Sequence, residues 1–199
     1  MTKDLLIVFV KNIKLGKVKT RLAKTIGDEN AFEIYKALVE ITEKATQNLS
    51  VDIRIYFSDV IVNSKWQDSK KYVQVGGDLG ARMKNAFKTG FEDGYQRIVL
   101  IGSDLPTISD KIITNAFKEL GENSLVFGPA EDGGYYLIGL TKLHGTIFTN
   151  KPWSKENLLK ITLAELQSNK INVSLIETLN DIDTFEDLKQ FPELLNRIS

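Results

Sequence analysis

The chain has 199 residues, with 26 basic and 26 acidic side chains and no cysteine. This length suits one domain with a substantial core, so we assign residues 1–199 to a single domain. The even charge balance argues against nucleic acid or an anionic membrane as a partner. The lack of cysteine excludes disulfides, thiol nucleophiles and zinc–thiolate sites. No apolar span is long enough for a membrane helix or a signal peptide, so we expect a cytoplasmic protein without membrane insertion.

A basic segment follows the first apolar run of the chain. Residues 5–10 are uninterruptedly apolar, which predicts a central strand. Residues 11–24 then carry six basic side chains and no acidic one, among them Lys14, Lys19 and Arg21, with Gly16 as a flexible point. A basic loop behind a central strand favours phosphate binding. It is not a P-loop, because neither Ser nor Thr follows Gly16-Lys17. A solvated basic surface is the alternative.

The next segments predict helices and strands in alternation. Asp28 is the expected N-cap of a long helix whose apolar stripe runs to residue 45, and residues 52–57 and 72–75 are expected strands. Gly77 and Asp78 then precede a second helix, with Asp78 as its N-cap. Glycine before a capped helix lets a ligand approach the backbone, although a plain tight turn would look the same.

An isolated carboxylate follows the most strand-like run in the middle of the chain. Residues 97–101 form a short apolar run that ends at Gly102, and Asp104 comes directly after it. Ser109 is the expected N-cap of a helix to residue 120. Open α/β sheets hold their ligands beyond the carboxyl ends of their strands, so we interpret Asp104 as a ligand-binding residue. The alternative is that Asp104 only caps the turn.

Two further acidic segments follow in the second half. Glu131 and Asp132 lie on a glycine-rich turn between strands predicted at 124–127 and 135–140. They could act as a metal ligand, a hydroxyl-binding group or a general base, or they could simply form a hairpin turn. After a helix at 155–168 and a strand at 173–176, Asp183-Thr184 is expected to cap a last helix from Phe185. The alternation predicts an α/β fold with a mainly parallel sheet and one antiparallel strand.

Five motifs in this order resemble a known bacterial family. They are Val-Lys-Thr-Arg-Leu-Ala at 18–23, Gly-Asp-Leu-Gly-x-Arg-Met at 77–83, Gly-Ser-Asp-x-Pro at 102–106, Gly-Pro-x-x-Asp-Gly-Gly-Tyr-Tyr at 128–136 and Asp-Ile-Asp-Thr-x-Glu-Asp-Leu at 181–188. The chain is similar to glycosyltransferase-like proteins of the nucleotide-diphosphosugar transferase (GT-A) superfamily, some of them assigned to arsenosugar biosynthesis. The guanylyltransferases of molybdenum-cofactor and F420-precursor synthesis are more distant relatives. The resemblance implies a three-layer, Rossmann-like GT-A fold.

The resemblance also implies roles for individual residues. Lys14, Lys19 and Arg21 match the basic loop that faces nucleotide phosphates in the superfamily, and with Gly16, Gly77, Asp78 and Asp104 they make up the expected nucleotide-binding set. Asp104 and Asp183 match the carboxylates that hold Mg²⁺ or Mn²⁺. Lys19 and Arg21 are expected to assist catalysis, and Asp132 is expected to accept the proton of the acceptor hydroxyl.

Three activities follow as hypotheses. The preferred one is metal-dependent transfer from a nucleoside-diphosphate sugar to a small-molecule acceptor. The chain lacks the paired aspartates of most metal-dependent glycosyltransferases, so Asp104 needs a second acidic segment. It also lacks the glycine pair of the molybdenum-cofactor enzymes, which argues against simple nucleotidyl transfer. Nucleotidyl transfer from a nucleoside triphosphate to a phosphorylated small molecule and a non-catalytic nucleotide-binding module are the alternatives. The oligomeric state is left open.

Overall fold

The computed structural model describes residues 3–198, which alternate between strands and helices. The strands are β1 (Asp4–Val10), β2 (Asp52–Phe57), β3 (Lys70–Val73), β4 (Arg97–Ile101), β5 (Leu125–Pro129), β6 (Tyr135–Leu140) and β7 (Val173–Leu175). The helices are α1 (Thr20–Ile26), α2 (Asp28–Thr46), α3 (Leu79–Glu92), α4 (Asp110–Glu119), α5 (Leu158–Ser168), α6 (Phe185–Lys189) and α7 (Pro192–Leu195), with a 3-10 helix over Gly145–Phe148.

The strands form one sheet in the order β3-β2-β1-β4-β6-β5-β7. Strand β6 is antiparallel to both of its neighbours, β4 and β5, while the other pairs are parallel. The predicted fold class, a mainly parallel α/β sheet with one antiparallel strand, is confirmed. The described strands all join this sheet, and the assignment of residues 1–199 to one domain stays a prediction.

Strand β1 is apolar at every position from Leu5 to Val10, so it has apolar side chains on both faces of the sheet. Helices cover both faces and bury these side chains. Successive side chains of a strand point to opposite faces. Leu6 and Val8 therefore pack into a core with residues of α2 and α4, whereas Leu5 and Ile7 pack into another core with residues of α3 and α5. The result is the three-layer arrangement that the resemblance implied. A smaller apolar cluster joins α1, α2, α6 and α7.

The pairing of β1 with β4 determines where the candidate site lies. These strands are parallel neighbours, and Val8 pairs with Ile101. The loops after Val10 and Ile101 consequently leave the sheet at the same edge, where the chain order changes direction between β1 and β4. This is the position at which open α/β sheets bind their ligands.

Local signals predicted several helix starts. Asp78 caps α3 by accepting a hydrogen bond from Ala81 N, and Ser109 caps α4 in the same way through Ile112 N. Thr184 and Asp187 form a reciprocal capping box at α6. The prediction for α2 was wrong in one respect, because Gly27 is its N-cap and Asp28 is its first helical residue. An acidic residue is favourable there too, since it faces the positive end of the helix dipole.

Two other predictions need correction. The basic segment is not a loop throughout, because residues from Thr20 onward form helix α1, which buries Leu22. Strand β3 lies at Lys70–Val73 and not at 72–75, because its register is set by pairing with β2. Among the helices that the structure describes between residues 3 and 198, none has the length and apolar character needed to cross a membrane.

Candidate active site

The loop that leaves β1 is tied to the loop that leaves β4 by one buried tyrosine. The Tyr35 hydroxyl, from α2, lies 3.1 Å from both the backbone N and the backbone O of Lys11, accepting from the former and donating to the latter. The same hydroxyl lies 3.1 Å from the hydroxyl of Ser103, next to Asp104. Burial raises the pKa of Tyr35 to about 12, so it stays a neutral linker between the two loops.

Lys19 enters the site through an unusual backbone conformation. It is the N-cap of α1 and has φ of 45° and ψ of 47°, a left-handed conformation that non-glycine residues adopt infrequently. Its side chain is only 4% exposed. A strained backbone that buries an ammonium group is the kind of feature that a functional site retains.

Three carboxylates from two remote segments surround the Lys19 ammonium. Its Nζ lies 3.1 Å from Asp104 Oδ2, 3.5 Å from Asp183 Oδ1 and 3.8 Å from Asp181 Oδ2. Asp104 is 85 residues away along the chain and Asp183 is 164 residues away. The structure thus brings together the basic segment, the carboxylate after β4 and the aspartates before α6. We name Lys19, Asp104, Asp181 and Asp183 the carboxylate cluster.

Burial and charge act in opposite directions within the carboxylate cluster. Burial lowers the pKa of Lys19, but the charges of Asp104, Asp181 and Asp183 outweigh it and the net pKa is raised. Lys19 is therefore a permanent cation at neutral pH. The pKa of Asp181 is raised to about 6, mainly by burial and further by Asp183 and Asp104, although Lys19 acts to lower it. More negative charge is gathered here than Lys19 alone neutralises.

Arg21 forms the outer edge of the cluster. Its Nη1 donates to Asp183 Oδ2 at 3.0 Å, and its side chain is 67% exposed. A guanidinium that is anchored at one nitrogen and otherwise open to solvent keeps donors free for a further anion.

These groups border a cleft of about 760 Å³ at the carboxyl ends of β1 and β4. Its cationic residues are Lys11, Lys19, Arg21 and Arg82, and its carboxylates are Asp59, Asp104 and Asp183. A concave site with several cations and an adjoining carboxylate pair suits a phosphorylated ligand accompanied by a cation.

Several predicted nucleotide-binding residues lie outside the lining of this cleft. Lys14 pairs with Asp59 at 3.2 Å, and both side chains are about half exposed. Gly16 has φ of +70° and packs close to the carboxylate of Asp28. Gly77 precedes Asp78, whose carboxylate is used to cap α3. The lining of the cleft from this region comes instead from the first turn of α3, and the roles predicted for these four residues stay predictions.

Asp132 borders an adjoining cavity. Its Oδ1 accepts the backbone N–H of Gly134 at 2.8 Å, so the residue stabilises the turn between β5 and β6. It also lines a neighbouring cavity together with Arg21 and Ser154, both of which border the main cleft. Its charge contributes to the raised pKa of Asp181. Asp132 can therefore stabilise the turn and also act on a ligand beside the cleft. Its role as a general base stays a prediction.

Three residues of the site carried no recognisable signal of their role in the sequence, namely Tyr35, Arg82 and Asp181. The first was interpreted as part of an apolar helix stripe, and its hydroxyl gave no signal. Arg82 stands in the Gly-Asp-Leu-Gly-x-Arg-Met motif, and its Nε donates to Gly76 O at 3.2 Å beside the cleft. Asp181 stands two residues before Asp183, and this spacing was the only available signal.

Comparison with solved structures supports the fold. The chain resembles a Desulfovibrio desulfuricans protein described as a candidate nucleotide-diphospho-sugar transferase, with a TM-score of 0.88, 27% identity and coverage of 100% of this chain and 99% of that one. A 4-diphosphocytidyl-2C-methyl-D-erythritol synthase from Anaerococcus prevotii has a TM-score of 0.63 at 11% identity, covering 98% and 97%. The Rv0371c protein of Mycobacterium tuberculosis in complex with manganese has a TM-score of 0.54 at 14% identity, covering 96% and 99%.

The predicted nucleotide-diphosphosugar transferase-like fold is confirmed by the first of these likenesses. No curated protein matches the chain. A family model described as "Uncharacterized protein conserved in bacteria (DUF2064)" matches residues 41–155, which is more than half of the chain. This match includes β4, Asp104 and the turn that carries Asp132. The chain therefore belongs to the DUF2064 family of bacterial proteins.

Proposed function

We propose that the protein is a metal-dependent transferase that uses a nucleoside-diphosphate sugar as donor and a small molecule as acceptor. The observation that carries this proposal is the convergence of the basic segment, Asp104 and Asp183 at one cleft. The likeness to a candidate nucleotide-diphospho-sugar transferase along the whole chain supports the same reaction class. We propose that the nucleotide is bound by the residues expected from the resemblance, together with two further residues that line the cleft, Lys11 and Arg82. The expected residues are Lys14, Gly16, Lys19, Arg21, Gly77, Asp78 and Asp104.

The cations best suited to bind phosphates are those with N–H donors that no protein carboxylate uses. Lys19 is surrounded by carboxylates, whereas Arg21 has one nitrogen on Asp183 and is otherwise exposed. Arg21 would therefore contact the diphosphate directly. Lys19 would act by holding Asp104 and Asp183 in place and by contributing its positive charge as negative charge develops on the leaving group.

The carboxylates present fit a divalent cation. Asp104 and Asp183 both line the cleft, with side chains that are 45% and 34% exposed. Hard carboxylate oxygens are the ligands that Mg²⁺ and Mn²⁺ prefer. Residues 3–198 hold no group of three or more potential ligands arranged for a metal. Two carboxylates suit a cation of the Mg²⁺ type, which is commonly held by one or two carboxylates together with substrate phosphates. When bound, the cation would offset charge on the diphosphate.

We propose the following transfer step. The acceptor hydroxyl oxygen forms a bond to the anomeric carbon of the sugar, and its proton passes to a carboxylate, for which we propose Asp132. The bond from the anomeric carbon to the diphosphate oxygen breaks, and the nucleoside diphosphate departs with the electron pair. Asp132 has one oxygen engaged with Gly134, which leaves the other for the incoming proton.

Nucleotidyl transfer is the second candidate, because the fold is also similar to those of cytidylyltransferases. A Leptospira borgpetersenii cytidylyltransferase has a TM-score of 0.57 at 15% identity, covering 100% of this chain and 94% of that one. The two reactions differ in their products. Sugar transfer releases a nucleoside diphosphate, whereas nucleotidyl transfer from a triphosphate releases pyrophosphate.

A binding screen tests the proposal. Nucleoside diphosphates, triphosphates and nucleotide sugars of the four common bases are added with and without Mn²⁺, and the melting temperature is recorded. A ligand at a hundred times its Kd should stabilise the protein by about 2.7 kcal/mol. We expect a nucleotide sugar to raise the melting temperature only when Mn²⁺ is present. The proposal is overturned if no nucleotide does so.

A matched pair of variants locates the site. Asp104→Asn should lower Mn²⁺-dependent nucleotide affinity by roughly a hundredfold or more, because a charged ligand to the metal and phosphates is lost. Asp110→Asn makes the same chemical change in the first turn of α4, away from the cleft, and should bind like the parent. Equal affinities in the two variants would place the nucleotide elsewhere. A bound nucleotide with no turnover, for any acceptor, would indicate a binding module.

A further inference from the structure

The Tyr35 hydroxyl lies between the two loops that border the main cleft. It contacts the backbone of Lys11 in the loop after β1 and the hydroxyl of Ser103 in the loop after β4. The Tyr35 ring packs in the apolar core under this edge of the sheet, and the whole side chain is 3% exposed. In the proposed function this hydroxyl binds neither the metal nor a phosphate, so its three contacts call for another explanation.

The hydrogen-bond inventory of Tyr35 determines the direction of each contact. A tyrosine hydroxyl donates one proton and can accept the protons of other groups. Tyr35 donates its proton to Lys11 O and accepts from Lys11 N, each at 3.1 Å. The contact with Ser103, also 3.1 Å long, therefore has Ser103 as the donor. The backbone of Lys11 thus fixes the Tyr35 hydroxyl, and the Tyr35 hydroxyl fixes the side chain of Ser103.

The neighbours of Asp104 along the chain hold its backbone in place. Its own side chain is 45% exposed, and its carboxylate contacts the Lys19 ammonium. Ser103 before it and Leu105 after it are both buried. Leu105 packs in the apolar core, and such contacts are not directional. A hydrogen bond weakens steeply when its angle is distorted, so the bond of Ser103 to Tyr35 restricts rotation of the backbone next to Asp104.

We propose that Tyr35 is a positioning residue whose hydroxyl, acting through Ser103, holds the Asp104 carboxylate in the orientation that binds the divalent cation. This inference rests on the proposed function, in which Asp104 is a metal ligand. Removing a group that orients a metal ligand commonly lowers metal affinity by roughly 10–100-fold. Tyr35 acts through a neighbouring residue, so we expect a loss at the lower end of this range.

Mn²⁺ alone is the probe for this role. It is titrated into the full chain, and the free ion is measured by its electron paramagnetic resonance signal. Tyr35→Phe keeps the ring and removes only the hydroxyl, so it should weaken Mn²⁺ binding by about tenfold.

Tyr95→Phe is the matched control. The Tyr95 hydroxyl also has a protein partner, Asp52 Oδ2 at 2.7 Å. Tyr95 and Asp52 lie at the amino ends of β4 and β2, at the opposite edge of the sheet from the cleft. The two variants therefore make the same chemical change at opposite ends of the strands. Tyr95→Phe should bind Mn²⁺ within about twofold of the parent.

Urea denaturation of the same proteins separates positioning from a purely structural role. Both variants lose a hydrogen-bonded hydroxyl, so both should be less stable than the parent. A purely structural hydroxyl would change stability and leave the Mn²⁺ affinity of the folded protein unaltered. Equal Mn²⁺ affinities of Tyr35→Phe and Tyr95→Phe would overturn the inference, whatever their stabilities.

Ser103→Ala tests the route from Tyr35 to Asp104. It breaks the link to Ser103 and leaves both bonds of Tyr35 to Lys11, so it also serves if Tyr35→Phe does not fold. We expect a loss of Mn²⁺ affinity of about tenfold, and the double variant should bind about as weakly as either single variant, because both changes break one link. Unaltered affinity of Ser103→Ala, or losses that multiply in the double variant, would overturn the inference.

The nucleotide screen distinguishes failure of this inference from failure of the proposed function. If Mn²⁺ affinity depends on Tyr35 but no nucleotide binds, the proposed function fails and the positioning role stands. If nucleotides bind with Mn²⁺ and Tyr35→Phe takes up Mn²⁺ like the parent, the proposed function stands and the inference is overturned. A parent protein that takes up no Mn²⁺ by itself also overturns the inference, and the screen then decides the proposed function.

Discussion

Arg54 and Lys19 are both cations with side chains that are only 4% exposed, but their surroundings differ. Arg54 lies on β2, where its Nη2 meets Asp93 Oδ2 at 2.7 Å and its guanidinium faces the rings of Tyr72 and Tyr95 at 5.7 and 5.0 Å. It has one carboxylate partner and does not line the main cleft. Lys19 has three carboxylates around it and lines the cleft.

The difference between them concerns charge balance. The pair of Arg54 and Asp93 is electrically neutral, so its contribution is to join β2 to the end of α3. In the carboxylate cluster, even with Arg21 counted, two cations face three carboxylates. Like charges held together in a partly buried place cost stability, and an incoming cation relieves that cost. The comparison therefore separates a structural ion pair from a site prepared for a charged ligand.

The largest effect on stability is expected for Arg54→Met. Loss of the guanidinium removes the contacts with Asp93 and with two tyrosine rings, and we expect unfolding free energy to fall by about 2–3 kcal/mol. The value lies below that of a fully buried pair because Asp93 is about half exposed and stays hydrated. Urea denaturation measures it. Arg197→Met, which breaks the exposed pair with Glu40, is the control and should change stability by about 0.5 kcal/mol or less. Unchanged stability of Arg54→Met would show that Arg54 is not a structural anchor.

A smaller loss that a metal reverses is expected for Lys19→Met. Methionine keeps an apolar stem but leaves three carboxylates without their ammonium partner, so unfolding free energy should fall by about 1–2 kcal/mol in the presence of a chelator. Excess Mn²⁺ should restore more stability to this variant than to the parent, because the cation takes over the neutralising role. Thermal melts with and without Mn²⁺ measure both effects. Equal responses of the two proteins to Mn²⁺ would show that the metal does not neutralise the carboxylates that surround Lys19.

The smallest effect, and the one that depends on pH, is expected for Asp181→Asn. Burial raises the pKa of Asp181 in the folded protein to about 6, above its unfolded value. The folded state thus binds the proton more tightly, and the stability due to this group is present below about pH 4 and is lost as the pH rises through about 6. Asparagine resembles the protonated form at every pH.

Asp181→Asn should therefore exceed the parent in stability by about 1 kcal/mol at pH 8, with the difference vanishing near pH 4. Urea denaturation at a series of pH values, in the presence of a chelator, measures this difference. Asp68→Asn, an exposed aspartate far from the cluster, is the control and should show no such trend. A variant less stable than the parent at pH 8 would mean that the contact with Lys19 outweighs the burial of Asp181.

Local patterns were enough for most of the secondary structure. Strands β2, β4 and β6 occur at the residues predicted for them, since each is a short apolar or alternating run. The caps at Asp78 and Ser109 were also predictable, because a capping side chain acts on backbone atoms three residues away. Helix α1 was not predicted, because its apolar stripe is short and lies among charged residues. The bounds predicted for β3 were wrong, because the register of a strand depends on its partner strand.

The sequence by itself determined that this protein has an α/β fold with a mainly parallel sheet, and its motifs indicated a resemblance to the nucleotide-diphosphosugar transferase superfamily, because hydrophobic periodicity and short motifs are local properties of the chain. Only the tertiary structure decided which charged residues meet. Lys19 contacts carboxylates 85 and 164 residues away along the chain. Such contacts depend on the pairing of β1 with β4 and on the return of the segment before α6, which no local pattern encodes.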